Sequence, residues 1–100
     1  MILTVFRSRL REESRAAYAE LAPRIDHLAT TMPGYRSHKS FIAADGERVT
    51  IAEFEDEAAQ RNWARNAEHR AAMHAGKESF YAEYSIQVCR IDRESRFTAP

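Results

Sequence analysis

The sequence predicts an α+β fold in the order β-α-β-β-α-β, in which one antiparallel sheet carries two helices on one face. Three observations support this prediction. Strand-like runs alternate with segments of helical periodicity, an Asp-Gly pair separates two adjacent strand-like runs, and the strands carry apolar residues on both faces. A length of 100 residues is typical of one domain, and no repeat, linker or low-complexity tract divides the chain. We therefore predict a single domain over residues 1–100.

The chain begins with a predicted strand and continues with a predicted helix. Residues 2–9 are rich in β-branched and aromatic types, which suit a half-buried strand. The next segment has apolar residues at steps of three and four, the pattern of a helix with one buried face. These residues are Tyr18, Leu21, Ile25, Leu28 and Met32. Pro23 lies within the pattern and removes a helical hydrogen bond, so we expect a kink or a helix in two pieces.

Two further strands are predicted at residues 35–44 and 47–55, joined at Asp45-Gly46. Asp-Gly between two strand-like runs is a strong signal for a two-residue hairpin loop, because both loop positions require positive φ. A second helix is predicted from Asp56 to Asn66, with a short continuation to Ala75, and a last strand covers residues 82–93. This order of elements is the ferredoxin-like arrangement.

The distribution of apolar residues over the strand faces predicts a homodimer. The first strand places Ile2, Thr4 and Phe6 on one face, and Leu3 and Val5 on the other. The third and fourth strands show the same two-sided pattern. Two short helices cover only one face of a sheet, and the other face would be an unusually large exposed apolar patch. Packing against the same face of a second copy removes that patch from water.

Composition disfavours several classes of partner. Fifteen basic residues balance fifteen acidic ones, whereas proteins that bind nucleic acid or an anionic membrane surface usually carry a basic excess. The apolar run before the first arginine is too short for a signal peptide or a membrane span. Cys89 is the single cysteine, so no internal disulfide can form. We therefore expect no nucleic acid, no membrane, and a cytoplasmic location.

Six motifs in a fixed order resemble the antibiotic biosynthesis monooxygenase domain family, whose members form dimeric α+β barrels. They are FRSRL at 6–10, MPGY at 32–35, KSF at 39–41, DGERVTIAEFE at 45–55, WARNAEH at 63–69 and FYAEYSIQVC at 80–89. The resemblance spans nearly the whole chain. It implies the barrel fold and a homodimer.

The resemblance also implies a cofactor-independent monooxygenase that acts on a small electron-rich aromatic molecule, such as an anthrone-type polyketide. In such a reaction the substrate supplies the electrons. The protein binds an acidic phenol or carbon acid, removes a proton, and holds the carbanion beside oxygen in a dry pocket. No flavin, metal or nicotinamide is implied, and the three glycines of the chain form neither a GxGxxG motif nor a P-loop.

Two alternatives stay open. The chain also resembles haem-degrading monooxygenases, which have a tryptophan on the second helix and a histidine about ten residues later that ligates iron. Trp63 fits the first position and His74 or His69 the second, whereas Ser8 stands where those enzymes carry an asparagine. The other alternative is a dimeric binding or stress protein that has kept the fold and lost catalysis.

These considerations predict a site between the sheet and the second helix. His69 and Trp63 are the candidate catalytic residues, with Trp63 as a wall and His69 at the mouth, because an imidazole is a useful base near neutral pH. Ser8, His74 and Tyr84 are the further candidates for the pocket. Structural interpretations compete: a tryptophan facing the sheet is more often part of the core, and an exposed histidine is more often simply solvated.

Two more histidine interpretations follow from position. His38 lies on a predicted strand between polar neighbours, and we expect it at the surface or at the dimer edge. His69 and His74 are five residues apart, so on one helix they point about 140° away from each other. Helical zinc ligands are spaced by three or four residues, and we therefore predict no metal site.

Overall fold

The computed structural model describes residues 1–100 and contains four strands and three helices. The strands are β1 (Ile2–Leu10), β2 (Tyr35–Ile42), β3 (Arg48–Phe54) and β4 (Tyr81–Arg90). The helices are α1 (Arg15–Thr30), α2 (Glu57–Arg65) and α3 (Ala67–Ala75). A short 3-10 turn at Glu12–Ser14 precedes α1, and a π-helical turn at Gly76–Phe80 leads into β4.

The four strands form one sheet in the order β2-β3-β1-β4, and every neighbouring pair is antiparallel. This is the predicted ferredoxin-like topology, which is confirmed. The predicted second helix and its continuation form two separate helices because Asn66, with an extended ψ of 128°, ends α2 and caps α3. The sheet is therefore covered by three helices where two were predicted.

Helix α1 runs unbroken through Pro23, so the expected division into two pieces does not occur. Proline removes one hydrogen bond, to the carbonyl four residues earlier, and that residue is Ala19. Both Ala19 and Pro23 are exposed, and water can therefore bind the freed carbonyl. The apolar stripe of α1 still faces the sheet, and tertiary packing carries the helix past the proline.

The hairpin between β2 and β3 has a three-residue loop, not the predicted two-residue loop. Ala43 N–H donates to the Glu47 carbonyl at 2.8 Å, and Gly46 N–H donates to the Ala43 carbonyl at 2.9 Å. Within this loop only Gly46 has positive φ, at 91°, whereas a two-residue Asp-Gly loop needs positive φ at both of its positions. Asp45 instead stabilises the turn by accepting a hydrogen bond from Glu47 N–H at 3.0 Å.

The register of the sheet sorts its residues onto two faces. On the helix side, Ile2 lies opposite Phe54 and Thr4 lies opposite Ala52. Phe54 is fully buried and Ile2 is buried, so the densest part of the core lies at this end of β1 and β3. The other face, which we call the open face, carries no helix. Its apolar residues are Leu3, Val5, Phe41, Val49, Ile51 and Cys89.

None of the helices combines the length and the apolar character that crossing a bilayer requires.

Candidate functional site

A cavity of about 470 Å³ lies between the helix side of the sheet and the three helices. Its lining is mostly apolar, with a few polar side chains that include Asp26, His38 and His69. Pockets for small molecules typically have volumes of about 300–1,000 Å³ and this combination of apolar walls and few polar groups. The cavity was predicted between the sheet and the second helix, and α1 proves to form a wall as well.

Small side chains on facing layers explain why this space stays open. The floor is formed at the centre of the sheet by Thr4, Thr50 and Ala52. The roof has alanines from each helix, at positions 22 and 29 of α1, 64 of α2 and 72 of α3. A core that is filled by interdigitating side chains needs large residues on at least one of two facing layers. At these positions both layers carry short side chains, so a ligand-sized gap remains between the larger residues that surround them.

Trp63 and His69 form one wall as a stacked pair. Their ring centroids are 4.0 Å apart and their planes differ by 10°. Asn66 sets this geometry, because its side chain caps α3 by accepting a hydrogen bond from His69 N–H at 3.1 Å. The chain turn at Asn66 folds α3 back so that the His69 ring lies over the Trp63 ring, whose residue is in the last turn of α2.

The hydrogen bonding of His69 leaves one ring nitrogen free to act as a base. Its Nδ1 lies 3.0 Å from the Trp63 carbonyl, and a carbonyl can only accept, so Nδ1–H is the donor. In the neutral ring, Nε2 then carries the lone pair. Burial lowers the pKa of His69 below its ordinary value of 6.5, while the bond to the carbonyl opposes this. The imidazole is therefore neutral at neutral pH.

A second polar group in the cavity joins β2 to α1. The Tyr35 hydroxyl lies 2.7 Å from Nδ1 of His38, and Nε2 of His38 lies 3.7 Å from a carboxylate oxygen of Asp26. All three residues line the cavity. We call them the Tyr35–His38–Asp26 group. His38 was expected at the surface or the dimer edge; its side chain is only 19% exposed and faces Asp26 of α1, so the surface position is not observed.

The Tyr35–His38–Asp26 group could not be predicted from the spacing of these residues in the sequence. The alternation along β2 places His38 on one face, but the identity of that face depends on the register with β3, where His38 lies opposite Ala52. Asp26 lies on α1, just after Ile25 of the apolar stripe, and nothing in its spacing links it to His38. The one local signal is the separation of Tyr35 from His38. A shift in the register between Tyr35 and Ser37 brings their side chains to the same face.

Three of the predicted pocket residues do not line the cavity. Ser8 is 3% exposed with an unpaired hydroxyl, buried beyond the end of the cavity on the helix side of β1. Tyr84 lies opposite Ser8 and packs against Phe6 and Tyr81 instead. His74 is 74% exposed on α3 and pairs with Glu78 one turn later, at 3.2 Å. The prediction therefore differs from the observed cavity at these three positions.

Of the two candidate iron ligands, only His69 lines the cavity. His74, the better spaced candidate for an iron ligand, points to solvent and lies outside the lining. His69 lines the cavity, and its Nδ1–H bond to the Trp63 carbonyl leaves Nε2 as the nitrogen that could bind iron, with one face of the ring covered by Trp63. No group of three or more His, Cys, Asp and Glu side chains is arranged to hold a metal ion.

The topology and the helix-side cavity define a ferredoxin-like α+β protein with a cavity of the size that small molecules occupy. The family model that describes antibiotic biosynthesis monooxygenases matches residues 1–75. The chain therefore belongs to the antibiotic biosynthesis monooxygenase family. The matched residues include β1, β2, β3 and all three helices, and so most of the cavity lining.

A curated relative and several solved structures are similar to nearly the whole chain. The chain is 31% identical over 90 residues to the uncharacterized protein YqjZ of Bacillus subtilis, which covers 90% of this chain and 79% of that protein. The structure of Rv0793 from Mycobacterium tuberculosis has a TM-score of 0.83 at 18% identity, with 95% and 98% of the two chains covered. SnoaB from Streptomyces nogalater, a cofactor-independent oxygenase, has a TM-score of 0.79 at 16% identity, with 93% and 94% covered. The two solved structures, at 18% and 16% identity, show a shared fold.

Proposed function

We propose that this protein is a cofactor-independent monooxygenase for a small electron-rich aromatic substrate. The observation that carries the proposal is the His69 imidazole, stacked on Trp63 with Nδ1 on the Trp63 carbonyl, in the wall of an apolar cavity of about 470 Å³. Membership of the monooxygenase family and the fold shared with SnoaB support the same reaction class.

In the proposed reaction, Nε2 of His69 removes a proton from an activated ring carbon, such as the methylene of an anthrone. The carbanion gives electrons to dioxygen and forms a carbon–oxygen bond. The second hydrogen then leaves that carbon as a proton and the oxygen–oxygen bond breaks. One oxygen atom stays as a ring carbonyl and the other leaves as water, so the substrate supplies all the electrons.

The surroundings of His69 suit this role. An apolar cavity penalises a carbanion less when its charge is spread over aromatic rings, and it excludes water that would return the proton. Trp63 keeps the imidazole in a fixed plane, and the bond from Nδ1–H to the Trp63 carbonyl stabilises the imidazolium that forms when Nε2 takes the proton. We therefore assign His69 as the base and Trp63 as the wall that positions it.

The same proposal includes a homodimer that packs through the open face. Phe41 on this face is 48% exposed, and Val49, Ile51, Leu3 and Val5 are only partly covered. A second copy that meets this face with its own open face would bury a continuous apolar surface and leave both helix-side cavities accessible.

The test is oxygen uptake with anthrone as the probe substrate. We expect one dioxygen consumed for each anthraquinone formed, at a rate well above that in buffer, by protein freed of metals with a chelator and checked by its spectrum for flavin. Because a general base typically contributes 10²–10⁴-fold, His69→Gln should lower kcat by about 100-fold or more. His74→Gln, which changes an exposed histidine on the same helix, is the matched control and should keep full activity.

Oxygen uptake no faster than in buffer would contradict the proposal and favour the non-catalytic binding protein. Equal rates for the wild type and His69→Gln would leave an oxygenase whose base lies elsewhere. Adding haemin to the same protein provides the third comparison. A saturable Soret band at one haemin per chain would favour the haem-binding alternative.

A further inference from the structure

We propose that the Tyr35–His38–Asp26 group is a proton relay, in which Tyr35 receives the proton of a ligand hydroxyl in the helix-side cavity. The inference rests on the proposed function only in placing the substrate in this cavity. The relay itself can be tested without oxygen and without turnover.

The contacts give the group a direction. The carboxylate of Asp26 faces Nε2 of His38 at 3.7 Å, which favours a proton on Nε2. Nδ1 of the neutral ring is then an acceptor, and the Tyr35 hydroxyl at 2.7 Å donates to it. The phenolic oxygen of Tyr35 has used its only proton in this bond. Its remaining lone pairs can accept a hydrogen bond, and the partner they suit is a ligand hydroxyl.

The transfer follows the same line of contacts. A ligand hydroxyl donates its proton to the Tyr35 oxygen as the Tyr35 proton moves to Nδ1 of His38. One O–H bond of the ligand breaks, the O–H bond of Tyr35 is replaced, and one N–H bond forms. The ligand becomes a phenolate and His38 an imidazolium that faces the Asp26 carboxylate. No group is oxidised or reduced, and the positive charge on His38 lies between the ligand phenolate and the Asp26 carboxylate.

The burial of the group suits such a role better than a role as a surface contact. Tyr35 and His38 are only partly exposed, and their rings meet edge to face with centroids 5.7 Å apart. Tyr35 also packs against the fully buried Phe54, with ring centroids 6.4 Å apart. The tyrosine is thus held in place by its ring, and its hydroxyl is not needed to anchor it. The Asp26 side chain is 54% exposed, which leaves a route for the proton to reach water.

A purely structural role is the competing explanation, because the group also connects β2 to α1. The two explanations differ in what the hydroxyl of Tyr35 does. A structural link depends on His38 and Asp26, whose loss should lower the melting temperature. A relay requires that the ligand respond to the removal of one oxygen atom from Tyr35.

The experiment uses para-nitrophenol, whose phenolate is yellow, and its methyl ether para-nitroanisole, which has no proton to give. At a mildly acidic pH, where most of the free phenol is protonated, we expect bound para-nitrophenol to be ionised to a larger fraction than free para-nitrophenol. We also expect the wild type to bind para-nitrophenol about tenfold more tightly than para-nitroanisole, the difference that one good hydrogen bond provides. Tyr35→Phe should abolish both effects while para-nitroanisole binds unchanged.

Tyr84→Phe, a tyrosine on the same side of the sheet but outside the cavity, is the matched control and should behave as the wild type. Asp26→Asn changes a half-exposed side chain and should reduce the ionised fraction without preventing folding. The relay is refuted if Tyr35→Phe matches the wild type in both the ionised fraction of bound para-nitrophenol and the preference for para-nitrophenol over para-nitroanisole. Oxygen uptake from anthrone that persists in that case leaves the monooxygenase proposal standing. A normal relay without any oxygen uptake supports the relay and refutes the oxygenase.

Discussion

The two faces of the sheet are made by alternate residues of the same strands, yet they differ in the size of their side chains and in whether helices cover them. The helix side is built at its centre from Thr4, Thr50 and Ala52, and it retains a cavity of about 470 Å³ although three helices cover it. The open face has branched residues such as Val5 and Ile51 at the neighbouring positions, and no helix covers it.

The difference shows that covering a face and filling it are separate properties. Short side chains on the sheet and alanines on the helices keep the covered face hollow, which suits a small ligand. Bulky side chains on the uncovered face make a surface that suits a second copy. Ion pairs at the edge of the open face, such as those of Arg7 with Glu47 and Arg9 with Asp45, both at 2.8 Å, are exposed and add polarity around it. The predictions below address one face at a time, from the largest expected effect to the smallest.

A charge at the centre of the open face should break the dimer. Ile51→Asp places a carboxylate where two copies are proposed to meet, and burying an unpaired charge is strongly unfavourable. We expect dimer affinity to fall by more than about 1,000-fold. Light scattering should then give the monomer mass of 11.5 kDa. Ile86→Asp, on the helix side of the edge strand β4, is the control and should stay dimeric. A wild type of monomer mass at micromolar concentration would contradict the interface.

A larger side chain on the cavity floor should remove ligand binding at little cost in stability. Ala52→Leu fills part of the cavity, and we expect para-nitroanisole affinity to fall at least about tenfold. Because the added atoms enter a void, the free energy of unfolding should change by less than about 1.5 kcal/mol. Ala58→Leu makes the same change at an exposed position of α2 and should alter neither quantity. Unchanged binding by Ala52→Leu would place the ligand elsewhere.

Two glycines with positive φ allow a packed position and an exposed hairpin position to be compared. Gly34, at φ 82°, has so little room that an added Cβ would lie 2.5 Å from the Cβ of Ala59, whereas nothing lies near Gly46, at φ 91°. Gly46→Ala should destabilise by about 1 kcal/mol through backbone strain alone. Gly34→Ala should cost about 1–3 kcal/mol more, because α2 must move. Urea unfolding of both variants measures the difference, and equal values would mean that α2 does not pack tightly there.

The smallest expected effect is a pH dependence of stability from His69. Its folded-state pKa is lowered by burial, so the unfolded chain binds the proton first as pH falls. The stabilisation by the neutral ring is complete above the ordinary value of 6.5 and is lost as pH falls from there through the lower folded-state pKa. His69→Gln should flatten the decline in the free energy of unfolding over this window. His74→Gln, at an exposed site, should leave the decline as it is.

The sequence predicted the fold well because periodicity and turn residues act locally. The helical stripe of α1, the strands and the position of the β2–β3 turn all follow from residues close in the chain. The predicted length of the hairpin loop was wrong because an Asp-Gly pair is compatible with loops of two or three residues. Here the Asp45 side chain stabilises the three-residue loop. Pro23 did not divide α1, since its effect depends on whether the freed carbonyl is exposed.

The site was predicted in part, for a related physical reason. Trp63 and His69 are six residues apart, and the capping asparagine between them brings their rings together locally. Tyr35, His38 and Asp26 meet only because α1 packs against β2, which is a tertiary relation that spacing does not encode. Ser8 and His74 were placed by resemblance and Tyr84 as an aromatic hydroxyl at the start of the last strand, and none of the three lines the cavity.

The central claim, that the aromatic ligand sits in the helix-side cavity beside Trp63 and His69, is tested most directly by the fluorescence of Trp63, the only tryptophan of the chain. Anthrone titrated under nitrogen, where no turnover occurs, should quench this fluorescence to saturation at one ligand per chain. Ala52→Leu should abolish the quenching, and Ile51→Asp on the open face should retain it. Anthrone that binds by equilibrium dialysis without quenching Trp63, or that quenches Ala52→Leu as strongly as the wild type, would contradict the account.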